Sequence, residues 1–185
     1  MRGRTRQRRN GMPDASTEAM KALRMAIEIE DNGLVTFLKF ARRTKHEFGK
    51  NMFIRLAMDE SEHRRILEKQ LHRLAEGQPW VEIQVPDYEI EHVAPTMTDK
   101  QQKVTAESGV DVTDALKIAM DLERKAAKFF REQAEAATDS KARSLFEQLA
   151  DWEDAHFDLI QAEMDSINNT GFWFNVPEFK MDGKY

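Results

Sequence analysis

The chain has 185 residues, of which 41% are apolar and 33% charged, and it contains no cysteine. This length is near that of one domain. A mean hydropathy of −0.68, without a run of about 20 apolar residues, excludes a membrane-spanning helix and indicates a soluble chain. The lack of cysteine excludes disulfide scaffolds, zinc fingers and cysteine nucleophiles, and it is compatible with a cytoplasmic location. Any bound metal must therefore use oxygen and nitrogen ligands.

The charge is distributed unevenly along the chain. The net charge is −5, but the first eleven residues carry only positive charge, from Arg2, Arg4, Arg6, Arg8 and Arg9. The rest of the chain is therefore acidic, which argues against a nucleic-acid-binding surface on the folded domain. No apolar stretch follows these arginines, so we interpret residues 1–16 as a flexible basic tail and not as a secretory signal. Met12 is a candidate alternative start.

Four helices are predicted, in two pairs. The first, over residues 17–41, carries an apolar stripe at steps of three, four and seven: Met20, Leu23, Ile27, Leu34, Leu38 and Ala41. Thr44 and Glu47 have the spacing of a capping box, which predicts that the second helix begins there. This helix is expected to end at Gly77, a residue suited to the left-handed position after a helix.

The second pair follows a long connection over residues 77–110, which contains three prolines and no sustained helical period. Within it, residues 81–85 alternate like a short strand. Asp111 or Thr113 is expected to cap the third helix, and Asp139 or Ser140 the fourth. The halves 17–76 and 111–168 form one bundle domain, and the aromatic tail 169–185 is expected to cover a bundle edge or a dimer seam.

An internal repeat relates the two pairs, because a shift of 93 residues superposes them without a gap. Most matches are apolar, as with Phe37 and Phe130, which are expected to be core residues. Three matched pairs are polar: Glu30 with Glu123, Glu60 with Glu153, and His63 with His156. Acidic groups and imidazoles within a repeated apolar framework require an explanation other than packing.

The spacing of these six residues predicts that they meet. Glu60 and His63, like Glu153 and His156, are three residues apart and so share one helix face. Glu30 and Glu60 each lie 15 residues from residue 45, near the first turn, so they lie at the same height, roughly 20 Å from that turn. If the hairpins pack with pseudo-twofold symmetry, all six groups meet midway along a four-helix bundle.

The charges of this cluster favour two divalent metal ions. Four glutamates and two neutral histidines carry −4, which two divalent cations neutralise. Oxygen and imidazole ligands suit iron or manganese, and zinc would also bind. We expect two iron ions per chain, with manganese or zinc as substitutes.

With this ligand pattern, residues 17–168 resemble the ferritin-like di-iron carboxylate proteins, and among them the rubrerythrin-like branch. The resemblance implies that Glu30 and Glu123 are terminal ligands, that Glu60 and Glu153 bridge the metals, and that His63 and His156 each supply one nitrogen. Two departures are visible. Met120 and Ala126 occupy both places where rubrerythrins have a further carboxylate, and the cysteine-rich rubredoxin domain is missing.

The resemblance implies an oxidoreductase that reduces peroxide or dioxygen and takes electrons from an external donor such as a rubredoxin-like protein. An iron-handling ferroxidase of the ferritin type and an oxygenase acting on an organic substrate are the alternatives. A homodimer is expected for the redox enzyme, whereas a shell of many subunits would indicate iron storage.

Other residues with suitable chemistry lack the support of the repeat. Glu89 and His92 match the Glu-x-x-His string but lie in the connection, so we do not interpret them as ligands. His46 and His72 are expected at the surface. Trp152 precedes Glu153 by one residue and is therefore expected to pack against a neighbour rather than relay electrons.

Overall fold

The computed structural model describes residues 15–45, 47–85, 112–168, 172–173 and 176–177. The described residues form four helices: α1 (Ala15–Arg43), α2 (Glu47–Ala75), α3 (Val112–Ala136) and α4 (Ser140–Asn168). A short antiparallel pair, β1 (Phe172–Trp173) and β2 (Val176–Pro177), follows α4 and was not predicted. The all-α architecture is confirmed. Within the described residues, no helix has the length and apolar character that a membrane span requires.

Several sequence predictions fall outside the described residues. These include residues 1–14 of the basic tail, residues 86–110 of the connection and most of the aromatic tail, with the individual residues Met12, His46, Glu89, His92 and Asp111. Of the two candidate caps for α3, Thr113 lies inside the helix.

The helices pack as two hairpins, α1 with α2 and α3 with α4, and the hairpins meet through contacts of α1 with α3 and of α2 with α4. Two apolar clusters fill the interior. One contains Leu23, Leu67, Phe130 and Leu149, near the α1 N-terminus, and the other contains Phe37, Leu56, Leu116 and Ile160, near the α1 C-terminus. Buried polar residues of all four helices lie between these clusters, so apolar packing fixes their position from both sides.

The repeat is preserved in the packing of the aromatic rings. Phe37 stacks on Phe53 with ring centroids 6.3 Å apart, and their counterparts Phe130 and Phe146 stack at the same distance. Phe37 and Phe130 are fully buried, which confirms them as core residues. Leu38, which was predicted on the apolar stripe of α1, is 50% exposed. The buried stripe runs through its neighbour Phe37 and then Ala41, so the phase of the prediction was wrong at this position.

The helix ends follow the sequence signals in two of three cases. Gly77 adopts a positive φ of 74°, and Gln78 N–H donates to the Arg73 carbonyl, which closes α2 as predicted. Asp139 accepts hydrogen bonds from Lys141 N–H at 2.8 Å and Ala142 N–H at 3.2 Å, and so caps α4.

The predicted capping box at Thr44 is wrong. Helix α2 begins at Glu47, later than a cap at Thr44 would place it. The Thr44 hydroxyl instead donates to the Phe40 carbonyl at 2.8 Å. The same carbonyl also accepts from the Thr44 backbone N–H at 2.8 Å, so both donors of Thr44 close the end of α1, and this role competes with capping the next helix.

Residues 81–85 do not form the predicted strand, and among the residues that the structure describes no strand pairs with them. Two glutamine side chains take that place. The Gln70 amide donates to the Val81 carbonyl at 2.6 Å and accepts from its N–H, while Gln148 accepts from Val85 N–H at 3.1 Å. The alternation is nevertheless real, since Val85 is buried and Glu82 and Gln84 are exposed. The segment is extended and packs against α2 and α4, to which these hydrogen bonds connect it.

We expect Asp139→Ala to lower the free energy of unfolding by about 1 kcal/mol, because two first-turn N–H groups of α4 lose their acceptor. Urea unfolding followed by circular dichroism measures this change. Asp151→Ala is the matched control, since Asp151 is exposed within α4 and alanine favours a helix. Equal destabilisation by the two substitutions would contradict the capping role of Asp139.

Candidate metal centre

All six residues singled out by the repeat lie together in the interior of the bundle. None is more than 2% exposed: Glu30, Glu60, His63, Glu123, Glu153 and His156. Glutamate and histidine are seldom buried to this extent without partners. The equal heights predicted from the hairpin symmetry are therefore realised, with one glutamate from α1, one from α3 and a Glu-x-x-His pair from each of α2 and α4.

The six side chains form two groups, each of which could hold one metal ion. Potential ligand atoms of Glu30, Glu60, His63 and Glu153 lie within 4.8 Å of one another. The same is true of the second group: Glu60, Glu123, Glu153 and His156. We name these groups the His63 position and the His156 position. Both positions contain Glu60 and Glu153.

The two shared glutamates face both histidines through different oxygens. Glu60 places Oε2 at 3.9 Å from Nδ1 of His63 and Oε1 at 3.4 Å from Nδ1 of His156. Glu153 places Oε1 at 3.5 Å from His63 Nδ1 and Oε2 at 3.8 Å from His156 Nδ1. A carboxylate with one oxygen directed to each of two positions is arranged to bridge two cations.

The other two glutamates each face one position. Glu30 Oε2 lies 3.6 Å from His63 Nδ1, and Glu123 Oε1 lies 3.7 Å from His156 Nδ1. This arrangement is that of terminal ligands. The structure thus brings together every residue of the predicted ligand set, while the assignment of terminal and bridging ligands stays a prediction.

The crowding of these acids changes their protonation in the metal-free chain. Burial, reinforced by Glu60, raises the pKa of Glu30, and burial with Glu153 raises the pKa of Glu123. Burial alone would also raise the pKa of Glu153, but contacts with His156 and His63 outweigh it and lower that pKa. Burial would lower the pKa of His156, but Asp59, Glu153 and Glu60 raise it. Protons therefore offset part of the negative charge.

The donor atoms fit metal ions. Glu30 Oε1 and Oε2, Glu60 Oε1, Glu123 Oε1, Glu153 Oε1 and the Nδ1 atoms of both histidines are buried without a hydrogen-bond partner. Orphaned buried polar atoms are costly, and so many in one place indicate a missing partner. Carboxylate oxygens and imidazole nitrogens are suitable ligands for first-row divalent metals. The cluster is thus a candidate metal-binding site, because its geometry and its donor atoms could hold metal ions.

Three residues beside the cluster were missed or misjudged from the sequence. Asp59 is buried and places Oδ2 at 3.6 Å from Nε2 of His156. Trp152 packs against a neighbour as expected, but the neighbours are the two histidines, whose ring centroids lie 6.0 and 5.9 Å from its own. Both residues immediately precede a shared glutamate, so comparing these two positions of the repeat could have found them.

The third residue is Gly33, in the interior of α1. A Cβ atom at this position would lie 3.2 Å from Cγ and Cδ of Glu60. Glycine therefore leaves room here for the close approach of the Glu60 side chain, at a cost to helix stability of roughly 1 kcal/mol relative to alanine. Its counterpart in the repeat is Ala126, one of the two residues that stand where rubrerythrins have a further carboxylate.

Gly33 and Ala126 both line a cavity of about 200 Å³ between α1 and α3. Three of the site glutamates line it as well: Glu60, Glu123 and Glu153. The exposed residues Asn32 and Lys125 also belong to its lining, so the cavity links the cluster to the protein surface.

Two other titratable residues lie apart from the cluster. His72 is exposed and forms an ion pair with Glu76 at 3.3 Å, which confirms its predicted surface position. Glu163 is buried at the α4 end of the second apolar cluster, where burial raises its pKa to about 7.

We expect the metal-free protein to lose stability as the pH rises from 5 to 8. Glu30, Glu123 and Glu163 bind protons more tightly when folded, so their contribution is complete below the unfolded pKa of about 4.5 and is lost as the pH rises through the raised values. His156 acts in the same direction, because its stabilising proton is lost above its raised pKa. Urea unfolding in the presence of a chelator measures the trend.

Two variants separate the contributions to this pH dependence. Both Glu30→Gln and Glu163→Gln should reduce it, because glutamine does not ionise. Added metal should still raise the unfolding midpoint of Glu163→Gln as in the parent protein, but should raise that of Glu30→Gln less. Metal-free stability that instead increases from pH 5 to 8 would contradict the protonation assigned to the cluster.

Comparisons with known proteins agree with this geometry. The chain matches the rubrerythrin family model over residues 21–164, a range that includes all six clustered residues. Among curated proteins, none matches the chain. Among solved structures, a hypothetical protein from Pyrococcus furiosus is similar, with a TM-score of 0.61 at 24% identity over 87% of this chain and 97% of that one. That likeness shows the fold alone, whereas the family match spans most of the sequence, and the chain therefore belongs to the rubrerythrin family of ferritin-like proteins.

Proposed function

We propose that the protein is a di-iron oxidoreductase of the rubrerythrin type, which reduces peroxide, or dioxygen, with electrons from an external donor. The observation that carries this proposal is the pair of metal positions joined by Glu60 and Glu153. Two adjacent one-electron centres suit a two-electron reduction. Glu30, Glu60, His63, Glu123, Glu153 and His156 would hold the two ions.

Charge balance supports two ions rather than one. Four carboxylates carry −4, and a single divalent cation would leave −2 in a buried interior, where uncompensated charge is costly. Two divalent cations neutralise the four carboxylates with both histidines neutral. Iron is the metal that we propose; manganese and zinc would also accept these ligands.

The cavity beside the site favours a small oxidant. Its volume of about 200 Å³ admits a few water-sized molecules, and three carboxylate ligands line it. A cavity of about 600 Å³ lies at the end of the bundle, near Leu74 and Trp80. Leu74 is 14 residues along α2 from Glu60, roughly 21 Å at the helical rise. The larger space therefore does not reach the cluster, which argues against an organic substrate.

When bound, a ferrous pair would supply two electrons, one from each ion, and with two protons these convert H2O2 into two water molecules. The six residues would hold the ions, and the apolar clusters on both sides limit the access of bulk solvent to them. The cavity between Gly33 and Ala126 provides the access route for the oxidant.

The source of electrons and the oligomeric state stay predictions. The 185 residues contain no cysteine, so this chain supplies no thiol or iron–sulfur relay. A rubredoxin-like protein is the external donor that we propose, and a homodimer is the proposed assembly. Mass measured in solution by light scattering distinguishes a dimer from a storage shell of many subunits.

We expect Glu60→Ala and Glu153→Ala to reduce metal loading from two ions per chain to one or fewer, because each substitution removes a ligand from both positions. Elemental analysis after anaerobic Fe(II) loading measures the ratio. Glu89→Ala and His92→Ala are matched controls, since they alter the same string outside the repeat. Equal loss of metal in these controls would contradict the assigned ligand set.

The reduced protein, under anaerobic conditions, is expected to consume about one H2O2 per pair of metal ions in a single burst and then to stop until a reductant is added. Stopped-flow absorbance and peroxide assay measure the burst. Sustained turnover on NAD(P)H without an added carrier would contradict the proposed electron supply. No reaction with peroxide, combined with rapid oxidation of Fe(II) by O2, would favour the iron-handling alternative.

A further inference from the structure

The two halves of the repeat supply equivalent ligands but different neighbours to those ligands. The residue before the shared glutamate is Asp59 in α2 and Trp152 in α4. One turn earlier, Arg55 in α2 corresponds to Gln148 in α4. The charged pair of Asp59 and Arg55 in α2 thus corresponds to two uncharged residues in α4.

Asp59 lies behind His156, on the side away from the carboxylate cluster. Its Oδ2 is 3.6 Å from Nε2 of His156, an ion-pair distance just beyond that of a hydrogen bond, and Nε2 is buried with no hydrogen-bond partner among the described residues. Nδ1 of the same ring faces Glu60, Glu123 and Glu153. Arg55 holds this carboxylate in place, because its Nε donates to Oδ2 of Asp59 at 3.0 Å. Asp59 is only 7% exposed, so its charge acts on His156 with little screening by solvent.

His63 has a different environment. The Trp152 ring centroid lies 6.0 Å from that of His63 and 5.9 Å from that of His156, so the indole contacts both histidines alike and the difference lies in the carboxylates. Within the described part of the chain, the carboxylates that contact His63 do so through Nδ1, on the metal side: Glu30, Glu60 and Glu153. An indole offers no hydrogen-bond acceptor comparable to a carboxylate. Its face packs on the imidazole but does not orient the proton of the ring.

A carboxylate behind a metal-bound imidazole affects the ligand in three ways. It fixes the tautomer with the proton on the outer nitrogen, it holds the ring in position, and it makes the inner nitrogen more basic. Loss of such a partner typically weakens metal binding by about 10- to 100-fold. Because Asp59 reaches His156 and not His63, these effects apply to one metal position only.

From this difference we infer that Asp59 is a positioning residue that makes the two metal positions unequal, so that the His156 position fills first and holds its ion more tightly than the His63 position. The inference rests on the proposed dinuclear site. Both positions share Glu60 and Glu153 and each has one terminal glutamate, so the groups behind the histidines carry the difference.

Titration of the metal-free protein with Co(II), followed by calorimetry and visible absorption, tests this inference independently of activity. The full chain should bind two ions in two resolvable steps. Asp59→Asn should weaken the first step by about 10- to 100-fold and leave the second within about threefold. A purely structural role for Asp59 would instead weaken both steps together.

Histidine variants identify the position that fills first. His156→Ala should abolish the tighter step, and His63→Ala the weaker one. The reverse assignment would overturn the inference, as would two equal steps in the parent protein. Binding of one ion only would contradict the proposed dinuclear site, and if His156→Ala retained that ion, the inference would fail as well.

Asp31→Asn is the matched control for Asp59→Asn. Asp31 also adjoins a predicted ligand and pairs with an arginine, Arg64, at 2.9 Å, but it lies at the outer surface of the bundle. Asp31→Asn should leave both binding steps unchanged.

If Asp59→Asn proves poorly folded by circular dichroism, Arg55→Gln provides a second test, because it keeps the Asp59 carboxylate and removes the arginine that holds it. We expect it to weaken the first step selectively but less severely, and equal weakening of both steps would contradict the inference.

Discussion

Four carboxyl groups buried within a few ångströms of one another are the constraint on which this structure depends. Without partners they would repel and be poorly solvated, which would oppose folding. In the metal-free chain, protons on Glu30, Glu123 and His156 relieve part of this repulsion. The apolar clusters on both sides supply the packing energy that holds the acids in place. The packing of the rest of the bundle therefore offsets the unfavourable free energy of burying these acids.

The repeat explains why the six residues could be predicted and why their neighbours could not. The spacing of Glu60 with His63, repeated in α4 at the same distance from a turn, fixes both the helix face and the height of each ligand. The contact of Asp59 with His156, by contrast, crosses from one hairpin to the other, and helical spacing alone does not determine which side chains meet across that interface. Pairwise comparison of the repeat positions shows that Asp59 and Trp152 differ where the ligands agree, but it does not show which residues they contact.

The errors at the ends of the elements have a similar origin. Thr44 can serve either of two helices, and the sequence does not show that the Phe40 carbonyl binds its hydroxyl. The alternation of residues 81–85 reports which side chains are buried, but not whether the backbone pairs with a strand or with the side chains of Gln70 and Gln148. In both cases the local pattern predicts that a residue is hydrogen-bonded or buried, but it does not identify the residue that it contacts.

Some of the differences between the halves lie directly beside the shared ligands. Gly33 corresponds to Ala126 in the repeat and leaves space for Glu60. Asp59 corresponds to Trp152 and contacts His156. A symmetric pair of metal positions would bind two ions with equal affinity and would present the same face to an oxidant at each. With unequal neighbours, one ion can be held firmly while the other position remains more responsive to its surroundings. The duplicated framework thus conserves the ligand count and the charge balance, while the residues one step outside it set how the two positions differ.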